Sequence, residues 1–341
     1  MTSHGWVIGV DSGGSGLRLA LGPAEAEAPV VTAECGGPVR TGPHGIDAAH
    51  LLEQLLPAVR RLLAGQGAGA RVTAAAVGAA GMATLGEELR AVLPGALADE
   101  LGVRRVALAA DAVTAYAGAV GQRPGAVVAA GTGLIALGTD LTEWRRADGW
   151  GHLLGDSGGG AWIGRAGLDA AMRAYDGRRG GSPALLERLE AVFGAPAALP
   201  GLLYPRADRP ALLASFAPEV AACADRDPVA ADILDAAAAH IAEAAAAVCP
   251  QPGPGDGGRE VALTGGLFRM GEPLLVPLYE HLARLLPGAR AVPGSGDPLL
   301  GAVRIARALA AGELRLPAHP TLLRVPASTP PAPGDRAQQP R

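Results

Sequence analysis

Lysine and asparagine are both absent from this 341-residue chain, so each of its 29 basic residues is an arginine. Without lysine there is no P-loop of the G-x-x-x-x-G-K-[ST] type and no strand lysine of the protein-kinase kind. Schiff-base catalysis also needs a lysine amine, and N-linked glycosylation needs an asparagine. The two absences therefore exclude several kinds of site before any motif is considered.

Cysteine, aromatic residues and net charge are all low as well. Cys35, Cys223 and Cys249 stand far apart with no C-x-x-C pair, which argues against a zinc site, an iron–sulfur cluster held within this chain and a disulfide framework. Aromatic residues make up 3% of the chain and the net charge is 29 − 33 = −4. A nucleic-acid binder would need a basic stripe or stacking aromatics, so we expect no nucleic-acid partner.

No signal peptide is visible at the N-terminus, and the alanine runs carry Asp, His and Glu among them. We therefore expect neither a membrane span nor a membrane partner. The reducing cytoplasm is the expected compartment for a chain with isolated cysteines. The sequence leaves the oligomeric state open, with a homodimer as one alternative.

Hydrophobic residues make up 49% of the chain, enough for a large α/β core, and the length predicts two domains. The apolar patterning predicts the unit β-β-β-α-β-α-β-α twice. In the first copy we expect strands at 6–10, 17–21, 29–33, 72–77 and 103–109, and helices at 51–63, 86–100 and 111–121. In the second copy we expect strands at 125–130, 134–138, 143–147, 259–264 and 289–292, and helices at 157–174, 184–194, 227–248, 273–286 and 298–311.

The repeat predicts two lobes and a tail. The expected bounds are 1–114 for the N-terminal lobe, 115–316 for the C-terminal lobe and 317–341 for a largely disordered tail. The last helix, at 298–312, is one that can pack back onto the first lobe.

Three glycine-rich loops stand at strand ends. In VIGVDSGGSGLRLAL, Asp11 ends a strand and is followed by a turn that suits a bulky anion, since glycine amides form anion-binding nests. Asp11 can hold Mg²⁺ through water and a serine hydroxyl can reach a phosphate, although a plain hairpin with a surface Asp is the alternative. The residues of the three loops that we single out are Gly13, Gly14, Ser15, Gly131, Thr132, Gly133, Gly265 and Gly266.

Two further acidic residues have alternative interpretations. Asp111 follows a predicted strand and precedes a helix, so it is either that helix's N-cap or a general base. Asp156, in DGWGHLLGDSGGGAWIGR, either caps the next helix or accepts hydrogen bonds from two sugar hydroxyls. Trp150 in the same stretch is either a buried anchor or a wall for stacking a sugar.

The order VDSGGSG, ADA, AAGTG, GWGHLLGDSGGGAWIGR, LTGG and Gly-Asp-Pro-x-x-Gly-Ala resembles the N-acetylglucosamine kinase branch of the BadF/BadG/BcrA/BcrD ATPase family, in the sugar kinase–Hsp70–actin superfamily. The resemblance covers residues 5–312, and the GWGHLLGD…WIGR stretch is its most specific part. It implies a duplicated ribonuclease-H-like (actin-like ATPase) fold with a nucleotide between two lobes. It also implies ATP and Mg²⁺ as cofactors and a small-molecule sugar as substrate.

The resemblance also implies roles for single residues. Ser15 and Thr132 would contact ATP phosphates, and Asp11 would serve Mg²⁺ through water. Asp111 would be the base that accepts a proton from a sugar hydroxyl, O6 by expectation. The implied sugar contacts are Gly149, Trp150, Gly151 and Asp156, and the implied adenosine contacts are Gly265, Gly266 and Ala214.

The chain departs from the family pattern mainly on the sugar side. Arg40 stands where the family has a sugar-binding Asn, and it would suit an anionic acceptor unless it points to solvent. Leu134, Ser157 and Gly159 also replace the residues that the family pattern has at these positions. Two alternative functions remain: the redox-activator ATPases of the same family, and a non-catalytic actin-like module that uses ATP only as a switch.

Overall fold

The computed structural model describes residues 5–13, 16–25, 30–37, 39–42, 45–67, 69–251 and 259–326. The chain divides into two compact units. Unit 1 comprises Met1–Gln122 and Gly296–Arg341, and unit 2 comprises Arg123–Ser295. The C-terminal segment therefore returns to the first unit.

The secondary-structure elements are numbered along the whole chain. The strands are β1 (Gly5–Gly13), β2 (Gly16–Pro23), β3 (Val31–Glu34), β4 (Thr41–Gly42), β5 (Gly45–Ile46), β6 (Arg71–Ala79), β7 (Arg105–Ala110), β8 (Gly125–Ala130), β9 (Leu134–Thr139), β10 (Trp144–Asp148), β11 (Arg259–Thr264), β12 (Ala289–Pro293) and β13 (Leu323–Arg324). The helices are α1 (Ala48–Ala64), α2 (Met82–Leu85), α3 (Glu87–Leu101), α4 (Asp111–Ala119), α5 (Gly160–Tyr175), α6 (Pro183–Phe193), α7 (Leu199–Leu203), α8 (Arg209–Ala214), α9 (Ala217–Cys223), α10 (Pro228–Val248), α11 (Glu272–Leu285) and α12 (Pro298–Ala311). Short 3₁₀ turns cover Pro196–Ala198 and Gly266–Met270.

Unit 1 is built on a six-stranded sheet with the order β13-β7-β6-β1-β2-β3. β1, β2 and β3 form an antiparallel meander, and β6 and β7 extend the sheet in parallel with β1. The short β13 adds an antiparallel edge beside β7. Since β1, β6 and β7 run in the same direction, their carboxyl ends lie at one edge of the sheet.

Unit 2 repeats the same plan with a five-stranded sheet in the order β10-β9-β8-β11-β12. β8, β9 and β10 form the antiparallel meander, and β11 and β12 continue in parallel with β8. Leaving β13 aside, the two sheets have the same order of meander and parallel strands. The chain therefore has the duplicated ribonuclease-H-like fold of actin-like ATPases, as predicted.

Close helix packing is made possible by glycines on α12 and in the sheet. A Cβ on Gly301 would lie 1.9 Å from the carbonyl oxygen of Thr114 in α4, and one on Gly9 would lie 2.7 Å from Val303. Helix α12 therefore packs directly on both β1 and α4. Nearly the whole of α4 is buried by this packing, from Ala112 to Ala119.

Unit 2 has its core around the long helix α10, whose alanine-rich face is buried against β8, β9 and β10. Asp227 begins this helix as its N-cap and accepts a hydrogen bond from the Ala230 N–H at 2.8 Å. The same carboxylate accepts one from the Ser182 hydroxyl at 2.7 Å, and Ser182 is the N-cap of α6. One buried polar pair thus fixes the starts of two helices.

Several details differ from the sequence expectations. Helix α5 begins at Gly160 and not at 157, because residues 157–159 form the turn that precedes it. The helices α7, α8 and α9 were not anticipated, since prolines and short apolar runs gave no clear period there. The tail from 317 is described as far as 326 and contributes β13, and residues 327–341 lie outside the described part. Among the helices that the structure describes, none is both long and apolar enough to cross a bilayer.

Candidate functional site

The turn between β8 and β9 is fixed to the start of helix α5. The Gly131 N–H donates to the Gly133 carbonyl at 2.9 Å, which closes the turn. The Gly160 and Ala161 amides donate to the carbonyls of Gly131 and Thr132, both at 2.8 Å. A Cβ on Gly160 would lie 2.7 Å from the Gly131 oxygen, so this contact requires glycine.

A cavity of about 670 Å³ opens beside this turn within unit 2. It brings together four residues predicted from the sequence as nucleotide contacts: Gly131, Thr132, Ala214 and Gly266. Most of the other lining side chains are small, and Arg269 is the one formal charge among the lining residues. The volume falls in the range of about 300–1,000 Å³ that is usual for cofactor sites.

Two predicted nucleotide residues of unit 2 lie outside the lining of this cavity. Gly265 has a φ of +105°, and a Cβ there would lie 2.1 Å from the Ala130 carbonyl oxygen. Gly133 faces the Asp156 carboxylate, with 2.2 Å between a built Cβ and Oδ2. Both positions need glycine for close packing around the turn.

The loop after β10 is organised by the Asp148 carboxylate, which the sequence analysis did not single out. Its Oδ1 accepts a hydrogen bond from the Asp156 N–H at 2.5 Å, and its Oδ2 accepts one from the Ser157 N–H at 2.9 Å. Asp148 and Asp156 both have left-handed backbones, with φ of 61° and 55°. The carboxylate therefore stabilises a strained loop that carries the predicted sugar contacts Gly149–Gly151.

Trp150 is exposed over 61% of its surface, so it is not a buried anchor. The Arg146 guanidinium lies 4.3 Å from the centre of its ring, a cation–π contact. The same guanidinium donates to the carbonyls of Asp148 and Gly149 at 3.0 and 2.5 Å. Arg146 thus holds the ring against the loop and leaves much of the indole open.

Asp156 does not cap helix α5, whose N-cap is Gly159 with no side-chain cap bond. Its Oδ1 accepts a hydrogen bond from the Gly151 N–H at 3.0 Å, so it ties the glycine–tryptophan loop together. Burial raises the pKa of the Asp156 carboxyl, and the charge of Asp148 adds to this shift, while the Gly151 hydrogen bond opposes it. A half-buried carboxylate with remaining acceptor capacity is suited to hydroxyl recognition.

Asp11 lies near the carboxyl end of β1 in unit 1, opposite Arg18 in the β1–β2 ladder. Arg18 donates to its Oδ2 through both Nη2 and Nε, at 2.6 and 3.2 Å. The Asp11 side chain is only 14% exposed. Gly14 and Ser15, which follow in the predicted phosphate turn, lie outside the described residues, and Gly13 is described as the last residue of β1.

Asp111 is the first residue of α4, directly after β7, and the N-cap position is taken by Ala110. The N-cap interpretation of Asp111 is therefore wrong. Its Oδ1 accepts a hydrogen bond from the Ala112 N–H at 2.9 Å. In the sheet, Asp11 pairs with Gly78 of β6, and Gly78 pairs with Ala109 of β7. Asp11 therefore lies near the carboxyl end of β1 and Asp111 directly after β7, and these two strands are about 10 Å apart because β6 lies between them.

Arg40 is exposed and its backbone is held on both sides. Its N–H donates to His50 Nδ1 at 3.0 Å, and its carbonyl accepts from the Asp47 N–H at 2.9 Å. Asp47 is in turn the N-cap of α1. The structure therefore fixes the position of Arg40 and leaves its side chain at the surface.

The other three departures from the family pattern, at Leu134, Ser157 and Gly159, each occupy a defined place in the structure. Leu134 is buried in the core at the start of β9, and Ser157 supplies an amide to Asp148. A Cβ on Gly159 would lie 2.8 Å from the Gly133 backbone, so glycine is required there. Within the described residues, no group of three or more His, Cys, Asp and Glu side chains could hold a metal ion.

Comparison with known proteins gives a family and several relatives. Residues 8–303 match the model of the BadF/BadG/BcrA/BcrD ATPase family. A solved candidate N-acetylglucosamine kinase from Chromobacterium violaceum is 31% identical, and the match covers 88% of this chain and 98% of that one, with a TM-score of 0.62. A second candidate N-acetylglucosamine kinase, from Porphyromonas gingivalis, has a TM-score of 0.64 at 17% identity, with coverage of 89% and 98%, which shows likeness of fold.

One curated relative is matched over a shorter segment. An N-acetylmuramic acid/N-acetylglucosamine kinase from Clostridium acetobutylicum is 42% identical over 79 residues. That segment is 23% of this chain and spans only 25% of the relative's length.

Proposed function

The chain belongs to the BadF/BadG/BcrA/BcrD ATPase family, and from this premise we propose that it is an ATP-dependent sugar kinase. It would transfer the γ-phosphoryl group of ATP to a hydroxyl, O6 by preference, of N-acetylglucosamine or a related amino sugar. The relatives named above as N-acetylglucosamine kinases support this acceptor class.

The observation that carries the proposal is the cavity of about 670 Å³ in unit 2. It gathers Gly131, Thr132, Ala214 and Gly266, which come from three separate segments of the chain. Their small side chains leave room for a flat base and ribose, and Thr132 brings a hydroxyl to the glycine turn. We assign the nucleotide to this cavity, with Gly133 and Gly265 supporting the turn from behind.

Asp111 is the proposed general base. It would accept the proton of the sugar hydroxyl as that oxygen forms a bond to the γ-phosphorus, while the bond from phosphorus to the bridging oxygen breaks and ADP leaves. Asp111 is the first residue of the buried helix α4, and its Oδ1 accepts a hydrogen bond from the Ala112 N–H. A negatively charged side chain at the first turn of a helix also interacts favourably with the helix dipole.

Asp11 suits the Mg²⁺ that accompanies ATP. Mg²⁺ keeps several waters and usually takes one or two carboxylates together with substrate phosphates, so a single carboxylate at the strand end is sufficient. When bound, the ion would offset the negative charge of the phosphates. Gly13, Gly14 and Ser15 remain the proposed phosphate-side residues of unit 1.

The acceptor side is assigned to Gly149, Trp150, Gly151 and Asp156, with Arg40 as the residue that distinguishes this chain. The exposed Trp150 ring and the half-buried Asp156 carboxylate have the chemistry of a sugar site, an apolar face beside a multiple acceptor. The Arg40 guanidinium would favour an acceptor that carries a carboxylate.

A coupled assay of ADP release tests the proposal. The acceptor panel is N-acetylglucosamine, N-acetylmannosamine, glucosamine, N-acetylmuramic acid and glucose. We expect release that depends on added sugar, with an N-acetylated amino sugar as the best acceptor. ATP binding without any sugar-dependent release across this panel would overturn the kinase proposal and favour an ATP-dependent switch.

The first prediction concerns the base. We expect Asp111→Asn to lower kcat by about 10²-fold or more, because general-base catalysis contributes about 10²–10⁴-fold. Asn keeps the oxygen that accepts from Ala112, so ADP binding measured by calorimetry should be unchanged.

Asp99→Asn on the exposed face of α3 is the matched control and should retain full activity. If Asp111→Asn phosphorylates sugar at the rate of the unaltered protein, Asp111 is not the base.

A further inference from the structure

Arg18 joins two carboxylates that belong to distant parts of unit 1. It donates to Asp11 Oδ2 at 2.6 Å through Nη2 and to Asp297 Oδ2 at 2.9 Å through Nη1. Asp11 and Arg18 are directly opposite each other on β1 and β2, where facing side chains interact most strongly. Asp297 stands at the start of α12, so a single guanidinium links the hairpin to this helix.

The guanidinium supplies a positive charge to both carboxylates. Two carboxylates and one guanidinium carry a combined charge of −1, whereas the carboxylates alone would carry −2. Burial alone would lower the pKa of the Arg18 guanidinium, but the hydrogen bonds and charges of Asp11 and Asp297 outweigh this effect and raise it. Arg18 is therefore a permanent positive charge at this point.

The oxygens of the two carboxylates have different hydrogen-bond partners. Both bonds from Arg18 to Asp11 fall on Oδ2. On Asp297, Oδ1 accepts the N-cap bond from the Leu300 N–H at 2.9 Å, and Oδ2 accepts from Arg18. Asp11 therefore cannot bind one metal ion through both of its oxygens while Arg18 is paired with Oδ2. Both oxygens of Asp297 already accept hydrogen bonds.

The same bridge reaches the helix of the proposed base. A Cβ on Gly118 of α4 would lie 2.2 Å from the Asp297 carbonyl oxygen, so the start of α12 lies against α4. Arg304, which lies further along α12, donates to the Gly118 carbonyl at 2.7 Å. Arg18 therefore holds Asp11 to the element that supports Asp111.

We propose that Arg18 is a positioning residue that makes divalent-cation binding at Asp11 depend on the nucleotide. The inference rests on the proposed metal role of Asp11. While Arg18 is paired with Asp11, a divalent ion that binds the nucleotide-free protein can use only one oxygen of the Asp11 carboxylate. Arg18 also offsets part of the charge of that carboxylate. The phosphates of a bound nucleotide are then needed to supply the remaining charge and ligands.

The test is a Mn²⁺ titration of the full chain without nucleotide, followed by electron paramagnetic resonance of the free ion. We expect Arg18→Gln to bind Mn²⁺ about tenfold or more tightly than the unaltered protein, since removing a unit charge a few ångströms away strongly favours a divalent ion. The double variant Asp11→Asn/Arg18→Gln should lose this gain, which places the ion at Asp11. Equal Mn²⁺ affinity of Arg18→Gln and the unaltered protein would overturn the inference.

Three further variants separate a positioning role from a general loss of an ion pair. Arg18→Lys keeps the charge and should leave Mn²⁺ affinity near that of the unaltered protein. Asp297→Asn keeps an N-cap acceptor but removes one carboxylate, so it should gain no Mn²⁺ affinity. Arg60→Gln breaks the exposed pair with Glu100 on α1 and α3 and should change nothing.

The Mn²⁺ titration needs no sugar and no turnover, so its outcome is independent of the kinase assay. A gain in Arg18→Gln without any sugar-dependent ADP release would retain the role of Arg18 and reject the kinase proposal. Sugar-dependent release in the unaltered protein, together with no gain in the variant, would reject the role of Arg18 alone. Circular dichroism melting of each variant verifies that the titrated protein is folded.

Discussion

At the scale of the residue, Asp148 is the side chain whose hydrogen bonds most directly determine the structure of a loop. Its two oxygens accept hydrogen bonds from two different amides, those of Asp156 and Ser157. We expect Asp148→Asn to destabilise the loop by about 1–3 kcal/mol, because the new NH₂ group faces an amide donor and leaves it unpaired. Asn tolerates a left-handed backbone, so the φ of 61° adds no new strain.

Hydrogen exchange followed by NMR measures this effect directly. The Asp156 and Ser157 amides should exchange about 5- to 150-fold faster in Asp148→Asn, which corresponds to the expected loss of about 1–3 kcal/mol. Asp140→Asn is the control, since at Asp140 a single oxygen accepts from Thr142 and Glu143 and Asn can keep that oxygen. Unchanged exchange at Asp156 and Ser157 would show that Asp148 does not hold the loop.

The residues of the site divide into those that sequence reasoning can find and those that it cannot. Gly131, Thr132 and Gly266 stand in glycine loops at strand ends, and that local pattern is enough to single them out. Asp148 and Arg146 act through amides and carbonyls several residues away, and nothing local distinguishes them from surface charges. Arg18 pairs with Asp297 across 279 positions, which only the fold brings together.

At the scale of the element, the contact between α4 and α12 is the most constrained feature of unit 1. We expect Gly301→Ala to lower the free energy of unfolding by about 1–3 kcal/mol, because the new methyl group would meet the backbone of α4 and force the helices apart. The nearest atoms are the Thr114 oxygen at 1.9 Å and the Gly118 nitrogen at 2.6 Å. Urea denaturation measures the change.

Gly95→Ala in α3 provides a control of opposite sign. A Cβ at Gly95 meets no atom within 4 Å, so the higher helix propensity of alanine should stabilise the protein by about 0.5–1 kcal/mol. Equal effects of the two substitutions would mean that close approach of α4 and α12 is not what Gly301 provides.

Elements with a strong period were predictable and irregular ones were not. Strands β8 and β9 and helix α12 were expected at nearly their observed bounds, because each has an apolar pattern with a clear turn or cap beside it. The segment that contains α7, α8 and α9 has helices of five to seven residues, too short for an amphipathic period to show. This segment packs against α5 at Gly164 and Gly167, and such a tertiary contact leaves no local pattern in the sequence.

At the scale of the whole molecule, the important property is that one topology occurs twice in separately packed units. The repeated succession of strands and helices along the chain was predicted from the apolar patterning, although the two copies share no visible sequence repeat. The return of α12 to unit 1 was foreseen only as an option, since its sequence does not say which sheet it covers. Its contacts with β1 and α4 place it in unit 1.

Three buried, free cysteines report on the two units separately: Cys35 lies in unit 1, and Cys223 and Cys249 lie in unit 2. Burial raises the pKa of the Cys35 and Cys249 thiols, so neither reacts readily until its surroundings open. Cys223 ends α9, and Ala217 and Ala221 of that helix line the proposed nucleotide cavity. Opening that exposes Cys223 should therefore also disrupt the nucleotide site.

ADP with EDTA present should slow alkylation of Cys223 while leaving Cys35 unchanged. At an ADP concentration 100 times its Kd, binding stabilises the closed form of unit 2 by about 2.7 kcal/mol, which corresponds to about 100-fold slower labelling. Peptide mass spectrometry after a timed pulse of iodoacetamide measures both thiols in one sample, with Cys35 as the internal control. Equal slowing at Cys35 and Cys223 would show that the units open together, and no slowing at Cys223 would place the nucleotide elsewhere. Because EDTA removes divalent ions, a differential result would assign the metal-independent part of nucleotide binding to unit 2 alone.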